Sequence, residues 1–221
     1  MIDLDEYIKR FIDEAKKAYG KRLMYVGLQG SRLRGEATED SDIDIMVVID
    51  ELTVNDMNLY REILDKVGNR DKSCGFLCGR DELSRWTSLE AYQLLETTKD
   101  LYNSLFELLP KFDRQDEILY VKTSLGNIYH ELCHRYVHSD REKNVMKFRT
   151  TCKYFFFLIQ NLHYLETGDF IKTKRELIEA VGEEDQKILK MAKLPDDFDF
   201  DKEFKTAFEW CQKAFARIDS V

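Results

Sequence analysis

Proline is scarce, two residues in 221, so few positions interrupt a helix and a loop-rich fold is excluded. Cysteine does not pair: Cys74, Cys78, Cys133, Cys152 and Cys211 are odd in number and show no paired CxxC spacing. Buried, reduced thiols in a cytoplasmic protein are the expectation. Positive charge is not in excess, since 34 Lys and Arg face 42 Asp and Glu for a net charge of -8. That opposes the broad basic surface that grips phosphate backbones, so a long nucleic acid is not an expected partner. Long apolar runs are missing too. The opening MIDLDEYIKRFIDEAKK is charged and amphipathic without a signal-peptide core, so no membrane partner is expected. No internal repeat and no low-complexity tract occurs. What remains, 43% hydrophobic and 34% charged residues, is the composition of a soluble globular chain, enough for one large domain or two small ones.

Apolar positions Ile2, Tyr7, Ile8, Phe11, Ile12 and Ala15 recur at helical spacing, with Gly20 as a stop. Residues 23–28 read as a strand ending at Gly30, where Ser31 starts a brief helix that Gly35 terminates. The β-branched run 43–49 reads as a central strand covered on both faces. A helix over 59–67 stops at Gly68, and residues 74–78 form a third strand. From Ser88 the pattern is helical, with a break near Leu109-Pro110 that sets the domain boundary. Beyond it, helices are expected over 114–137, 142–166, 172–181, 184–192 and 202–218. The fold class is thus α/β (α+β), a domain with a small mixed sheet over 1–110, followed by an all-α helical bundle over 111–221.

The chemistry concentrates in residues 27–48. Strand side chains alternate, so Asp42 and Asp44 point to one face while Ile43 and Ile45 point to the other. Two carboxylates side by side repel unless a cation sits between them, and Mg²⁺ binds through one or two carboxylates plus substrate phosphates. Gly30-Ser31 supplies the complement: a flexible turn, a hydroxyl, and a helix start whose N–H groups accept a phosphate. Arg34, one turn on, offers a guanidinium to the same triphosphate. Taken singly, each feature also describes a solvated strand start or a generic turn. Their coincidence in this order is the specific signal.

Gly30-Ser31, Arg34-Gly35 and Ser41-Asp42-Ile43-Asp44 resemble the signature of polymerase-beta-type nucleotidyltransferases. The resemblance is nearest to the small bacterial branch of aminoglycoside (kanamycin-type) and antitoxin-like enzymes. It implies that Asp42 and Asp44 bind Mg²⁺, that Gly30, Ser31 and Arg34 contact the triphosphate, and that a third carboxylate completes the site or acts as base. The strand that should carry this acid reads Cys74-Gly75-Phe76-Leu77-Cys78, with only Asp71 and Glu82 flanking it. Glu131, followed one turn later by Arg135, is the alternative: a carboxylate base and a phosphate-directed cation from the helical half.

His130-Glu131-Leu132-Cys133-His134 also matches the HExxH helix of zinc proteases. Arg135 beside the second histidine and the polar flanks argue against a metal there. His130, His134 and His138 form a stripe, read either as a solvated face or as a border of an interdomain cleft where an imidazole takes a substrate proton. Lys172, Lys174 and Arg175 read as a wet helix start, and Tyr154-Phe155-Phe156-Phe157 as bundle core.

The resulting expectation is a Mg²⁺-dependent enzyme. It moves a nucleoside monophosphate from a nucleoside triphosphate, ATP first, to a hydroxyl of a small molecule such as an aminoglycoside-like antibiotic, and releases pyrophosphate. Adenylylation of a partner toxin and non-catalytic nucleotide binding stand as alternatives, and a homodimer is compatible with all three.

Overall fold

The computed structural model describes residues 2–221. The chain divides into two compact units, the first ending at Phe112 and the second running Asp113–Val221. The first contains helix α1 (Leu4–Tyr19), strand β1 (Leu23–Leu28), the single turn α2 (Gly30–Leu33), strand β2 (Ile43–Ile49), helix α3 (Val54–Val67), strand β3 (Ser73–Gly79), helices α4 (Arg80–Ser84) and α5 (Ser88–Glu96), and strand β4 (Lys99–Tyr102). The sheet order is β3-β2-β1-β4. β1 runs antiparallel to β2 and β4, and β2 runs parallel to β3. The small mixed sheet expected from the residue pattern is therefore present, with one strand more than expected. β4 escapes a reading by periodicity because its four residues, Lys99-Asp100-Leu101-Tyr102, lie on a sheet edge where only short, polar pairing is needed.

Alternation on β2 builds two cores. Ile43, Ile45, Val47 and Ile49 pack with Tyr7, Phe11, Ala15 and Tyr19 of α1 and with Ile63 and Val67 of α3. Met46 and Val48, on the opposite face, pack with Tyr25, Cys78, Leu83 and Leu105. Sequence periodicity alone explains the first set: α1 buries every third or fourth residue, and its ends are compensated by Asp3 accepting from the Glu6 N–H (3.1 Å) and by Lys16 and Lys17 in the last turn.

The start of α3 is anchored ionically. Thr53 and Asp56 form a reciprocal capping box. Asp56 is buried, and Arg22, just ahead of β1, reaches it at 2.8 Å and Asp50 at 2.9 Å. Hydrogen bonds from the Arg22 guanidinium and from Thr53 hold the Asp56 carboxyl well below the usual carboxylate range.

The second unit is helical: α6 (Arg114–His138), α7 (Arg141–Thr167), α8 (Lys174–Ala180), α9 (Glu183–Lys190) and α10 (Phe200–Ile218). Gly168 ends α7 in a left-handed conformation (φ 78°). Its core includes Phe148, Phe155, Ile159, Leu162, Ile188 and Trp210. Within Tyr154-Phe155-Phe156-Phe157 the two middle rings are buried, while Tyr154 and Phe157 are exposed. One polar knot ties three helices: Asp185 of α9 accepts from Trp210 Nε1 (2.6 Å) and Arg217 Nη1 (2.8 Å) of α10, and Arg217 also pairs with Glu166 of α7 (2.8 Å). Among the described residues, no helix is long and apolar enough to cross a membrane.

The Arg22–Asp56 anchor has a pH signature. The folded pKa of Asp56 lies below its unfolded value, so its contribution is full above about pH 4 and fades as the pH falls through the folded value. Asp56→Asn should lower the melting temperature at pH 7 by roughly 2–8 °C. Melts followed from pH 7 to pH 2 should show the gap between variant and wild type narrowing below about pH 4; a gap that stays constant would contradict the assignment.

Candidate active site

Asp44 is the second residue of β2 and shares its face with Met46 and Val48. Three neighbours fix it. Its carbonyl accepts the Gln29 N–H at 2.8 Å. Its strand partner on β3 is Cys74, in the parallel register Asp44↔Cys74. Gly30, at φ +73°, approaches so closely that a Cβ there would stand 1.9 Å from Asp44 Oδ2. Glycine is thus required twice over at this position, for the backbone conformation and for the space.

Asp42 is placed differently. The ladder between β2 and β3 begins at the pair Ile43↔Ser73, so Asp42 lies one residue ahead of the strand rather than within it. This corrects the expectation that a single strand carries both carboxylates. Asp42 is exposed. Its backbone is held by Arg32, whose Nε donates to the Asp42 carbonyl (3.0 Å) and whose Nη2 donates to the Ser41 carbonyl (2.8 Å).

Ser31 sits in the first turn of α2, half-buried. The first N–H groups of any helix lack an intrahelical acceptor, so this turn offers donors beside Asp44. Arg34 caps the same turn and pairs with Glu36 (Nε to Oε2, 3.0 Å). The structure brings Gly30, Ser31, Arg34, Asp42 and Asp44 together around the end of β1 and the start of β2.

No third acid joins them from β3. The residues of β3 that share the Asp44 face are Cys74, Phe76 and Cys78, by alternation and by the packing of Phe76 and Cys78 with Met46. Asp71 lies in the turn before the strand and Glu82 in α4 after it. A thiol in place of a carboxylate on this strand is thus a property of the fold and not of a shifted register. Partial desolvation of the sulfur, followed by the charge of Asp44 beside it, pushes the Cys74 thiol up although the residue is exposed.

Glu131 and Arg135 belong to α6 of the second unit. Glu131 is exposed and paired with Arg135 at 3.0 Å. Arg135 is buried, with its guanidinium on Thr151 of α7, on the Glu131 main-chain oxygen (3.3 Å) and on the Glu131 carboxylate. His130, His134 and His138 form an exposed row whose ring centroids are 5.8 and 4.9 Å apart. Among the described residues, no group of three or more His, Cys, Asp or Glu is arranged to hold a metal ion, around these histidines or elsewhere. Lys174 and Arg175 begin α8 behind the Thr173 cap, and Arg175 faces solvent.

Two residues of the site were not singled out from the sequence. Arg32 carries no motif signal, standing between the Gly-Ser turn and Arg34. Cys74 becomes significant only through its register with Asp44, which a single sequence does not show.

The Asp44 carboxylate thus lies against the glycine-serine turn, with Asp42 two residues ahead of it at the edge of the strand. Residues 8–103 match the nucleotidyltransferase domain family. That span lies within the first unit, which is thus the part of the chain that carries the nucleotidyltransferase-domain match. The fold is similar to that of spectinomycin adenyltransferase from Enterococcus faecialis, solved with ATP and spectinomycin, at 16% identity and a TM-score of 0.58, covering 98% of this chain and 100% of that one. A toxin–antitoxin structure with AMP-PNP matches at 22% identity and a TM-score of 0.33 over 58% of this chain and 92% of that one. A nucleotidyltransferase-like protein from Exiguobacterium sibiricum matches at 14% identity and a TM-score of 0.40, covering 98% and 75%. No match occurs among curated proteins.

The thiols report on this geometry. Cys78, Cys152 and Cys211 are buried, and burial pushes each up to about 12, whereas Cys74 is exposed. An aromatic disulfide reagent at pH 8 should therefore label Cys74 and leave those three until the protein unfolds. Asp44→Asn removes a charge that holds the Cys74 thiolate back, so iodoacetamide should modify Cys74 faster in that variant. An unchanged or slower rate, read by peptide mass spectrometry, would place Cys74 away from Asp44.

Proposed function

We propose that this protein transfers a nucleoside monophosphate from a nucleoside triphosphate, ATP first, to a hydroxyl of a small molecule such as an aminoglycoside-like antibiotic, and releases pyrophosphate. The observation that carries the reading is the contact of Gly30 with the Asp44 carboxylate, because it sets the phosphate-binding turn against a metal-binding acid within one unit. The donor set fits magnesium. Asp42 and Asp44 are hard oxygen ligands, and a site of two carboxylates without a third protein ligand suits a cation that takes the rest of its shell from water and triphosphate. Bound there, Mg²⁺ would neutralise the triphosphate and polarise the α-phosphate.

The protein residues do the rest. The Ser31 hydroxyl and the N–H groups at the start of α2 bind the β- and γ-phosphate oxygens and stabilise the pyrophosphate as it leaves. Arg34, steadied by Glu36, adds positive charge at the same turn. The acceptor oxygen forms its bond to the α-phosphorus as the bond from that phosphorus to the bridging oxygen breaks, and the electron pair departs with pyrophosphate. The hydroxyl proton needs a base. The β3 face beside Asp44 presents a thiol and no carboxylate, so the reading assigns the base to Glu131 in the helical unit, with Arg135 holding its carboxylate from the neighbouring turn.

The helical unit is the substrate-binding part in this account, and the acidic total charge suits a cationic acceptor such as an aminosugar. The likeness to an adenyltransferase solved with ATP and spectinomycin supports that choice of acceptor class.

Pyrophosphate release from the four ribonucleoside triphosphates, screened against aminoglycosides, spectinomycin-like aminocyclitols, lincosamides and simple polyols, tests the reading. Wild-type protein with magnesium should turn over at least one antibiotic acceptor. Asp42→Asn and Asp44→Asn should each lower that rate by about 100-fold or more, consistent with loss of metal-assisted charge stabilisation. Gly30→Ala should do the same through the clash with Asp44, and Glu131→Gln should lower kcat with little change in the KM for the triphosphate. Turnover unchanged by either aspartate substitution would refute the assignment.

A further inference from the structure

The two carboxylates are fixed by different means. Asp44 belongs to the sheet ladder and is hemmed in by Gly30 and Cys74. Asp42 precedes the ladder, and the segment leading to it borders a cavity of about 980 Å³ that Gly35, Ala37, Thr38 and Glu39 help to line. Packing therefore gives that segment little support from the cavity side. Polar tethers do the holding: Thr38 N–H on Ser41 Oγ at 2.9 Å, Lys72 Nζ on the Glu39 carbonyl at 2.9 Å, and the Arg32 fork on the Ser41 and Asp42 carbonyls.

The Arg32 contact differs from the others in what it constrains. The Ser41 carbonyl belongs to the peptide plane on the N-terminal side of Asp42, and the Asp42 carbonyl to the plane on its C-terminal side. Peptide units are planar, so fixing both planes sets φ and ψ of Asp42 and with them the direction of its Cα–Cβ bond. A guanidinium can hold two successive carbonyls at once because its donors form a rigid fork; a lysine ammonium, a point charge on a flexible stem, would hold them less definitely.

We propose that Arg32 is a positioning residue, acting through the main chain of Asp42 to aim that carboxylate at the cation shared with Asp44. This rests on the reading of Asp42 and Asp44 given above and adds a residue to it. Arg32 does not touch phosphate in this account. Its guanidinium is spent on the two carbonyls, and it stands apart from Arg34, whose partner is Glu36.

Mn²⁺ binding to the full chain, followed by electron paramagnetic resonance in the presence of a non-hydrolysable ATP analogue, tests the proposal without relying on turnover. Arg32→Ala should weaken Mn²⁺ binding about tenfold, the scale of losing charge-assisted hydrogen bonds. Arg32→Lys should recover part of the loss and guards against a folding defect in the alanine variant. In an Asp42→Asn background, Arg32→Ala should change nothing further, because the group it aims is already gone. An equal loss in that background would mean that Arg32 contacts the nucleotide itself, and an unchanged affinity in the single variant would mean that the fork does not aim Asp42; either overturns the proposal. Wild-type protein that binds no Mn²⁺ with the analogue present would instead sink the carboxylate assignment, and the role of Arg32 with it.

Discussion

The approach of Gly30 to the Asp44 carboxylate is the constraint around which the first unit is arranged. It needs the end of β1 beside the start of β2, which the antiparallel pairing Leu28↔Ile45 provides. It also needs a residue without a side chain at positive φ, which only glycine supplies at no steric cost. A second glycine makes a comparable contact across the neighbouring strand pair: Gly75 at φ +143° would place a Cβ 2.0 Å from the Ile45 carbonyl oxygen. The strand that carries Asp44 is thus approached closely from both sides by backbone. Its apolar residues then bury on the two faces and pin the register, since a slip of one residue would turn Asp44 into the α1/α3 core.

Around that centre, charge is used locally. Arg22 with Asp50 and Asp56 secures the far end of β2 and the entry to α3, while Arg32 and Lys72 secure the approach to its near end. In the second unit, the buried Asp185 joins Trp210 and Arg217, and Arg135 joins α6 to α7 through Thr151. Buried charges of this kind are tolerated because each is paired and hydrogen-bonded; removing one partner strands the other. The spacing of Glu131 and Arg135 reads from sequence as a base and a phosphate-directed cation, whereas in the fold the Arg135 guanidinium is buried on Thr151 and on the Glu131 main-chain oxygen and carboxylate.

Much of the first unit was legible because its signals are local. The run 43–49 and the run 23–28 coincide with β2 and β1, and the Gly-Ser turn lies where a strand ending in glycine had to turn. The helices of the second unit follow from long 3.6-residue periodicity bounded by Asp113, Asp140 and Gly168. What escaped depends on contacts between distant residues. β4 has no periodicity of its own and exists because β1 needs an antiparallel neighbour; Tyr25 donates to Asp100 across that pair at 2.7 Å. Asp42 was assigned to a strand because alternation says nothing about where a ladder begins. Cys74 and Arg32 acquire meaning only from register and from a side chain folding back on main-chain carbonyls.

In the proposed reading, Asp42 and Asp44 together bind a divalent cation beside a triphosphate lodged at the Gly30-Ser31 turn. Anomalous diffraction from crystals grown with Mn²⁺ and a non-hydrolysable ATP analogue addresses it most directly. The expected result is a manganese peak beside both carboxylates, with analogue phosphates next to the start of α2. A peak absent from that place while the analogue is bound, or manganese found only at the exposed histidines of α6, would contradict it.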